Sequence, residues 1–215
     1  MKSLSRSIIV LVGGTLLSLA SFGAQDQKFS STELAQRTIH RRAVDAIIWG
    51  LPLVGEYTVK QAAFQDGKAN YNDIVWWPKG GSWKNQSPTP NVNTRYMYFF
   101  INTKQDGPVV VDLPPAVPGA SFYGTIEDAW YVPLTDIGFE GKGGKYLVLP
   151  PDYKGDVPDG YTPVSPATFN TMTLLRSILA SYSPENVRAG DELVRRVRIY
   201  PFRSQPILPH SASLI

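Results

Sequence analysis

The chain has 215 residues, with 21 Lys and Arg against 18 Asp and Glu, two histidines and no cysteine. Without cysteine it has no disulfide, no thiolate metal site and no lipidated anchor, so stability rests on a packed core. The net charge falls from +3 to +1 once Lys2 and Arg6 leave with an N-terminal leader, so there is no basic surface on which a nucleic-acid partner would depend.

The first element is that leader. Lys2 and Arg6 precede an apolar run over residues 8–20 that contains Gly13 and Gly14 and is shorter than the roughly 20 residues a membrane span requires. The small residues Ser18 and Ala20 suit cleavage after Ala20. Residues 1–20 thus read as a signal peptide, and the expected product is an exported protein, periplasmic or secreted, with no stable membrane anchor after cleavage. Residues 21–37 form a polar leader and 38–204 a single domain. A mature chain of roughly 190 residues buries about 70% of its unfolded surface and needs no staple.

Ser30-Ser31-Thr32-Glu33 has the form of a capping box. Leu34, Ile39, Val44, Ile47, Ile48 and Leu51 follow at roughly helical spacing, so a helix is predicted to Gly50, with a break or kink at Pro52 and a second helical stretch from Glu56 to Phe64. From 71 to 166 the chain is rich in Pro, Gly, Trp and Tyr. Short β-branched and aromatic runs at 96–101, 108–113, 122–126, 130–134 and 145–149 are predicted strands. The segments 105–108, 117–119, 142–144 and 158–160 separate them as turns, with 142–144 read as a hairpin. Strands this short at this spacing describe a sandwich or barrel. Helix is predicted again at 171–181, and a last helix follows Ser183-Pro184-Glu185, with Val187, Leu193, Val194 and Val197 as its apolar positions. From Tyr200 onward the period is lost, and 205–215 reads as an extended tail.

His40 and His210 lie in the first helix and near the end of the chain, away from the strand-rich body, which argues against a Ser-His-Asp hydrolase and against a zinc site of the usual kind. No Gly-x-Gly-x-x-Gly or phosphate-binding loop follows a predicted strand. The reading therefore assigns no metal and no cofactor.

Carboxylates and aromatics are the chemistry that remains. Glu127 and Asp128 follow a strand and precede Trp130 and Tyr131, but neighbours on a strand face opposite ways, so the two serve one ligand only if the strand ends or bulges there. The alternative is that they cap a turn or pair with lysines. Tyr96, Tyr98, Tyr123, Trp130 and Tyr131 suit a sugar or aromatic ligand and equally an ordinary core, while Trp83 sits in a Pro- and Gly-rich loop, where function is more common. Between Thr89 and Tyr96, the amides of Asn91 and Asn93 and the hydroxyl of Thr94 bind a polar ligand or satisfy their own backbone, and Arg95 offers a fork for a carboxylate or phosphate.

Five motifs in order, Ala46-Ile47-Ile48-Trp49-Gly50-Leu51-Pro52-Leu53, Thr89-Pro90-Asn91-Val92-Asn93-Thr94-Arg95-Tyr96, the run 107–114, Phe122-Tyr123-Gly124 and the run 144–151, resemble the bacterial family called domain of unknown function 1254. The resemblance implies an exported protein with a jelly-roll-like β-sandwich, so the expected class is mainly β, preceded and followed by α-helices. It implies no reaction. The chain departs from the family's Asn-Asn-Asp-Thr at Asn91-Val92-Asn93-Thr94. The second module that usually follows in the family, domain of unknown function 1214, does not begin before Ile215.

The functional expectation is a cell-envelope protein that binds a small polar or glycan-like ligand in the sandwich cleft. The alternatives are a carboxylate-based, hydrolase-like enzyme acting on such a ligand, and a structural or interaction module. A homo-oligomer, or a partner covering the C-terminal helix face near 193–202, is also expected, since bare sandwich edges and apolar patches invite pairing.

Overall fold

The computed structural model describes residues 29–79 and 94–202. The leader with its cleavage position, and the tail at 205–215, lie outside the described residues. The chain divides into two compact units, Met1–Val44 and Asp45–Ile215.

In the first unit the described residues enter α1 (Ser31–Gln65) through the expected capping box. The Ser30 amide donates to Glu33 Oε2 at 2.8 Å and the Glu33 amide donates to Ser30 Oγ at 3.3 Å, so two donors that the first turn leaves unpaired are satisfied. The Ser30 bonds also hold the Glu33 carboxyl below its usual pKa. The Arg37 guanidinium covers the Phe29 ring at 3.7 Å.

The expected break at Pro52 is corrected: α1 is one helix of 35 residues with Pro52 inside it. A proline removes one donor from the ladder, and the turns on either side keep theirs; Thr58 even adds a bond from Oγ1 to the Val54 carbonyl at 2.7 Å.

In the second unit, the described residues after α1 form two sheets. The five-stranded sheet has the order β1 (Val75–Trp76), β2 (Arg95–Asn102), β8 (Asn170–Leu179), β4 (Ala120–Asp128), β5 (Pro133–Ile137), all antiparallel. The four-stranded sheet has the order β7 (Tyr161–Val164), β6 (Gly144–Val148), β3 (Val109–Leu113), β9 (Arg198–Pro201), with β6 and β7 parallel. A short α2 (Thr103–Asp106) and α3 (Pro184–Val194) complete it. Asn102 caps α2 through Oδ1, and Ser183 caps α3 with Pro184 at its first turn. The chain is mainly β, two sheets with helices.

Both sheets give one face to a shared core. Met97, Phe99 and Ile101 of β2, Phe122 and Ile126 of β4 and Leu175 of β8 meet Val109, Val111 and Leu113 of β3 and Val148 of β6. The two-residue period of a strand selects those positions. Leu193, Val194 and Val197 close the same core, so the apolar positions expected to offer a docking face at the C-terminal helix are buried. The space between the sheets is filled mainly by apolar side chains, with Arg95, Thr173 and Ser177 buried on the same side, and the surface open to a ligand lies on the outer faces.

Four more expectations change. Residues 171–181, predicted as helix, form most of β8, the central strand of the larger sheet: Leu, Met and Arg suit a helix locally, but β8 pairs on both sides with β2 and β4, and that non-local pairing overrides propensity. The run at 130–134 is a turn through Val132, with β5 starting at Pro133. Tyr200 and Pro201 are not tail but belong to β9, which pairs with β3. The segment 142–144 passes from the larger sheet to the smaller, so it is not a hairpin.

Candidate ligand-binding site

The outer face of the larger sheet follows from strand register. Tyr96 lies opposite Arg176, Tyr98 opposite Leu174 and Phe100 opposite Met172. On the other side of β8, Tyr123 lies opposite Arg176, Thr125 opposite Leu174 and Glu127 opposite Met172. Residues directly opposed in an antiparallel pair share a face, so these nine form three rows across three strands. The Arg176 guanidinium lies 5.4 Å from the Tyr96 ring centre, and Trp77 packs edge-on against Tyr98 at 5.4 Å. Phe64 of α1 meets Phe100 edge-on at 5.9 Å, so the Phe100 end is covered. The Tyr96, Tyr98, Arg176 and Glu127 side chains remain half-buried.

The turn after β4 adds a further phenol. Asp128 Oδ1 accepts from the amides of Trp130 at 2.8 Å and Val132 at 3.1 Å, which closes the turn and leaves Tyr131 at φ 59°. A left-handed backbone at a bulky residue costs about 1–3 kcal/mol and persists only where the surroundings impose it. Here the Tyr131 ring lies against Gly55 of α1, its Cε2 3.4 Å from where a Cβ would stand, and the neighbouring Trp130 ring lies 4.5 Å from Trp49. Burial raises the Tyr131 pKa, and the charges of Glu56 and Glu127 raise it further, followed by Tyr98. Tyr131 is therefore the electrostatic neighbour of each of the other three.

Burial also raises the Glu127 pKa against the opposing charge of Arg176, and raises that of Tyr98. Glu56, on α1, is 2% exposed; its Oε2 is 4.0 Å from Lys60 Nζ and its Oε1 has no hydrogen-bond partner. Burial raises its pKa, with Lys60 opposing. A carboxyl whose folded pKa lies above its unfolded value binds its proton more tightly when folded, so its contribution to stability is complete below about pH 4.5 and is lost as pH rises through the folded value. Glu127 has the same sign. The urea midpoint is expected to fall across that range in the native chain and to fall less in Glu56→Gln; parallel pH profiles for the two would contradict this. Chemically the face offers flat aromatic surfaces, a carboxyl that keeps its proton to higher pH and a guanidinium.

Of the residues expected from sequence, Glu127 and Tyr123 lie on this face, and Trp130 lies beside it against Trp49. Asp128 is buried and serves its own turn, so the two adjacent acids do not act together. Arg95 is corrected: it is buried on the core side, ion-paired with Asp191 of α3, bonded to the Val187 carbonyl at 3.5 Å and stacked 4.7 Å from the Trp76 ring, so it is not available to a ligand. Thr94 is half-buried at the entry to β2. Trp83, Asn91 and Asn93 lie outside the described residues. Sequence reasoning missed Glu56, which carries no motif, and Arg176, whose segment reads as helix.

Among the described residues no three His, Asp or Glu side chains gather as a metal site requires, and no helix is long and apolar enough to cross a membrane. The fold is similar to the crystal structure of the VPA0106 protein from Vibrio parahaemolyticus, with a TM-score of 0.58 and 16% identity over 78% of this chain and 41% of that one. At that identity the likeness speaks for the fold alone, and this chain spans about two fifths of that protein's length. A search of curated proteins gave no match. Residues 71–201, which carry both sheets, match the family described as "Protein of unknown function (DUF1254)", and the chain belongs to that family.

Proposed function

We propose that the protein is exported to the periplasm or beyond and binds a small polar or glycan-like ligand on the outer face of the larger sheet, in a sandwich of jelly-roll type. The observation that carries the reading is the convergence of Tyr96, Tyr98, Tyr131, Glu127 and Arg176 on one half-buried face, with Tyr131 held there at a backbone angle it would not choose alone. Aromatic faces stack on sugar rings and a carboxyl beside a guanidinium orients hydroxyls. Export rests on the basic and apolar order of residues 1–20.

The test is a thermal-shift screen of mono- and disaccharides and aromatic glycosides, followed by calorimetry on the hits. Tyr131→Asn is expected to weaken binding by about tenfold or more while melting within a few degrees of the native chain, because Asn tolerates the left-handed region. Equal affinity in the variant, or no hit in the screen, would remove the reading.

A second reading, a carboxylate-based hydrolase acting on such a ligand, draws on the raised pKa of Glu127 and on Tyr131, whose phenol feels the charges of both Glu127 and Glu56. Under it, Glu127→Gln abolishes turnover of a chromogenic glycoside and leaves its binding largely intact.

A further inference from the structure

In its second half, α1 is turned inside out. Glu56 and Lys60 are the side chains it buries, whereas Ile47 is 66% exposed, Ile48 61%, Leu51 56% and Val54 59%. Ile47, Leu51 and Val54 follow one another at intervals of four and three, the spacing of a coiled-coil seam, and that stripe lies on the side of the helix opposite Glu56 and Lys60. Among the described residues, nothing outside the helix backbone and the two chain neighbours lies within 4 Å of where a Cβ on Gly50 would stand, so the middle of the stripe is open to close approach. Residues 46–55 carry no charge.

We infer that this face is the contact between two copies of the chain, an antiparallel pairing of α1 with its symmetry mate in which Ile47 of one copy meets Leu51 of the other. Three observations favour a second copy as the occupant. The stripe is self-complementary at coiled-coil spacing, and a twofold pair of identical patches is the commonest way proteins assemble. It offers no charge for a charged partner to read. Its area fits a reversible pair: Ile47, Ile48, Leu51 and Val54 at roughly 100 Å² each give about 400 Å² per copy and about 800 Å² for the pair, the size of a weak, concentration-dependent contact. A lipid surface is the competing occupant, although ten uncharged residues are too few to span a bilayer.

Sedimentation velocity of the mature chain between about 1 and 100 μM is expected to show a dimer, and Leu51→Glu is expected to raise the dissociation constant at least about tenfold with an unchanged melting curve. Should that variant unfold, cysteine pairing decides: the chain has no cysteine, so mixing Ile47→Cys with Leu51→Cys under oxidation should give the mixed disulfide in preference to either homodimer. A wild-type monomer at the highest concentration, a preference for the homodimeric disulfides, or binding of the monomer to phosphatidylcholine–phosphatidylglycerol vesicles through this face would each overturn the proposal.

Discussion

Replacing Asp191 by alanine is expected to destabilise the domain by about 3–5 kcal/mol, read as a lower urea midpoint at unchanged slope. Arg95 is 2% exposed, and its guanidinium faces Asp191 of α3 on one side and the Trp76 ring on the other. Its Nε has no hydrogen-bond partner, so the pair with Asp191 and the long bond to the Val187 carbonyl are the compensation that the buried charge receives. The Asp191 side chain is 36% exposed, so the attraction within the pair is partly screened. Most of the loss therefore comes from stranding the guanidinium. The converse change, Arg95→Met, keeps the volume, leaves Asp191 to water and should cost clearly less. If the two variants lose the same stability, the penalty lies in packing around β2 and α3 and not in the uncompensated charge.

Gly138→Ala is the second large effect, about 2–5 kcal/mol from two sources that add. Gly138 follows β5 at φ 76°, a conformation that costs an L side chain about 1–2 kcal/mol. An added Cβ would also lie 2.5 Å from the carbonyl oxygen of Phe122 and 2.8 Å from its carbonyl carbon, and that backbone belongs to β4, which is paired on both sides and cannot withdraw. Gly160, in the turn closed by the Tyr161 amide on the Pro158 carbonyl, at φ 86° and with no atom of the described residues within 4 Å of its Cβ position, is the control: Gly160→Ala should cost only the conformational part. Equal midpoints for the two variants would show that β4 yields.

Much of the fold was legible where the deciding contacts are close in sequence. Four of the five predicted strands appear within a few residues of their expected ends, as β2, β3, β4 and β6, because β-branched and aromatic runs bounded by Gly and Pro are a local signal. Apart from β8, the strands that went unseen were short or proline-containing: β1 has two residues, β7 contains Pro163 and β9 ends on Pro201. Of the site, Glu127 and the tyrosines were visible as residue types, but their common face depends on a register with β8, and β8 was itself misread. Arg95 shows the opposite error. An arginine at a strand start looks like surface until α3, nearly a hundred residues later, supplies its partner.

The division follows the range of the forces involved. The capping box at Ser30 and Glu33, the Asn102 and Ser183 caps and the turns at Gly107, Gly119 and Gly160 are decided by backbone geometry and hydrogen bonds within about four residues, so the amino-acid order dictates them. The central strand β8, the burial of Arg95 and the meeting of Tyr131 with Glu56 each need segments tens of residues apart to come together. The same holds for the outward turn of the apolar stripe on α1, since Glu56 and Lys60 face inward only where the folded chain surrounds that side of the helix. Local pattern states which residues can pack; which of them are left at the surface depends on what the rest of the chain places against them.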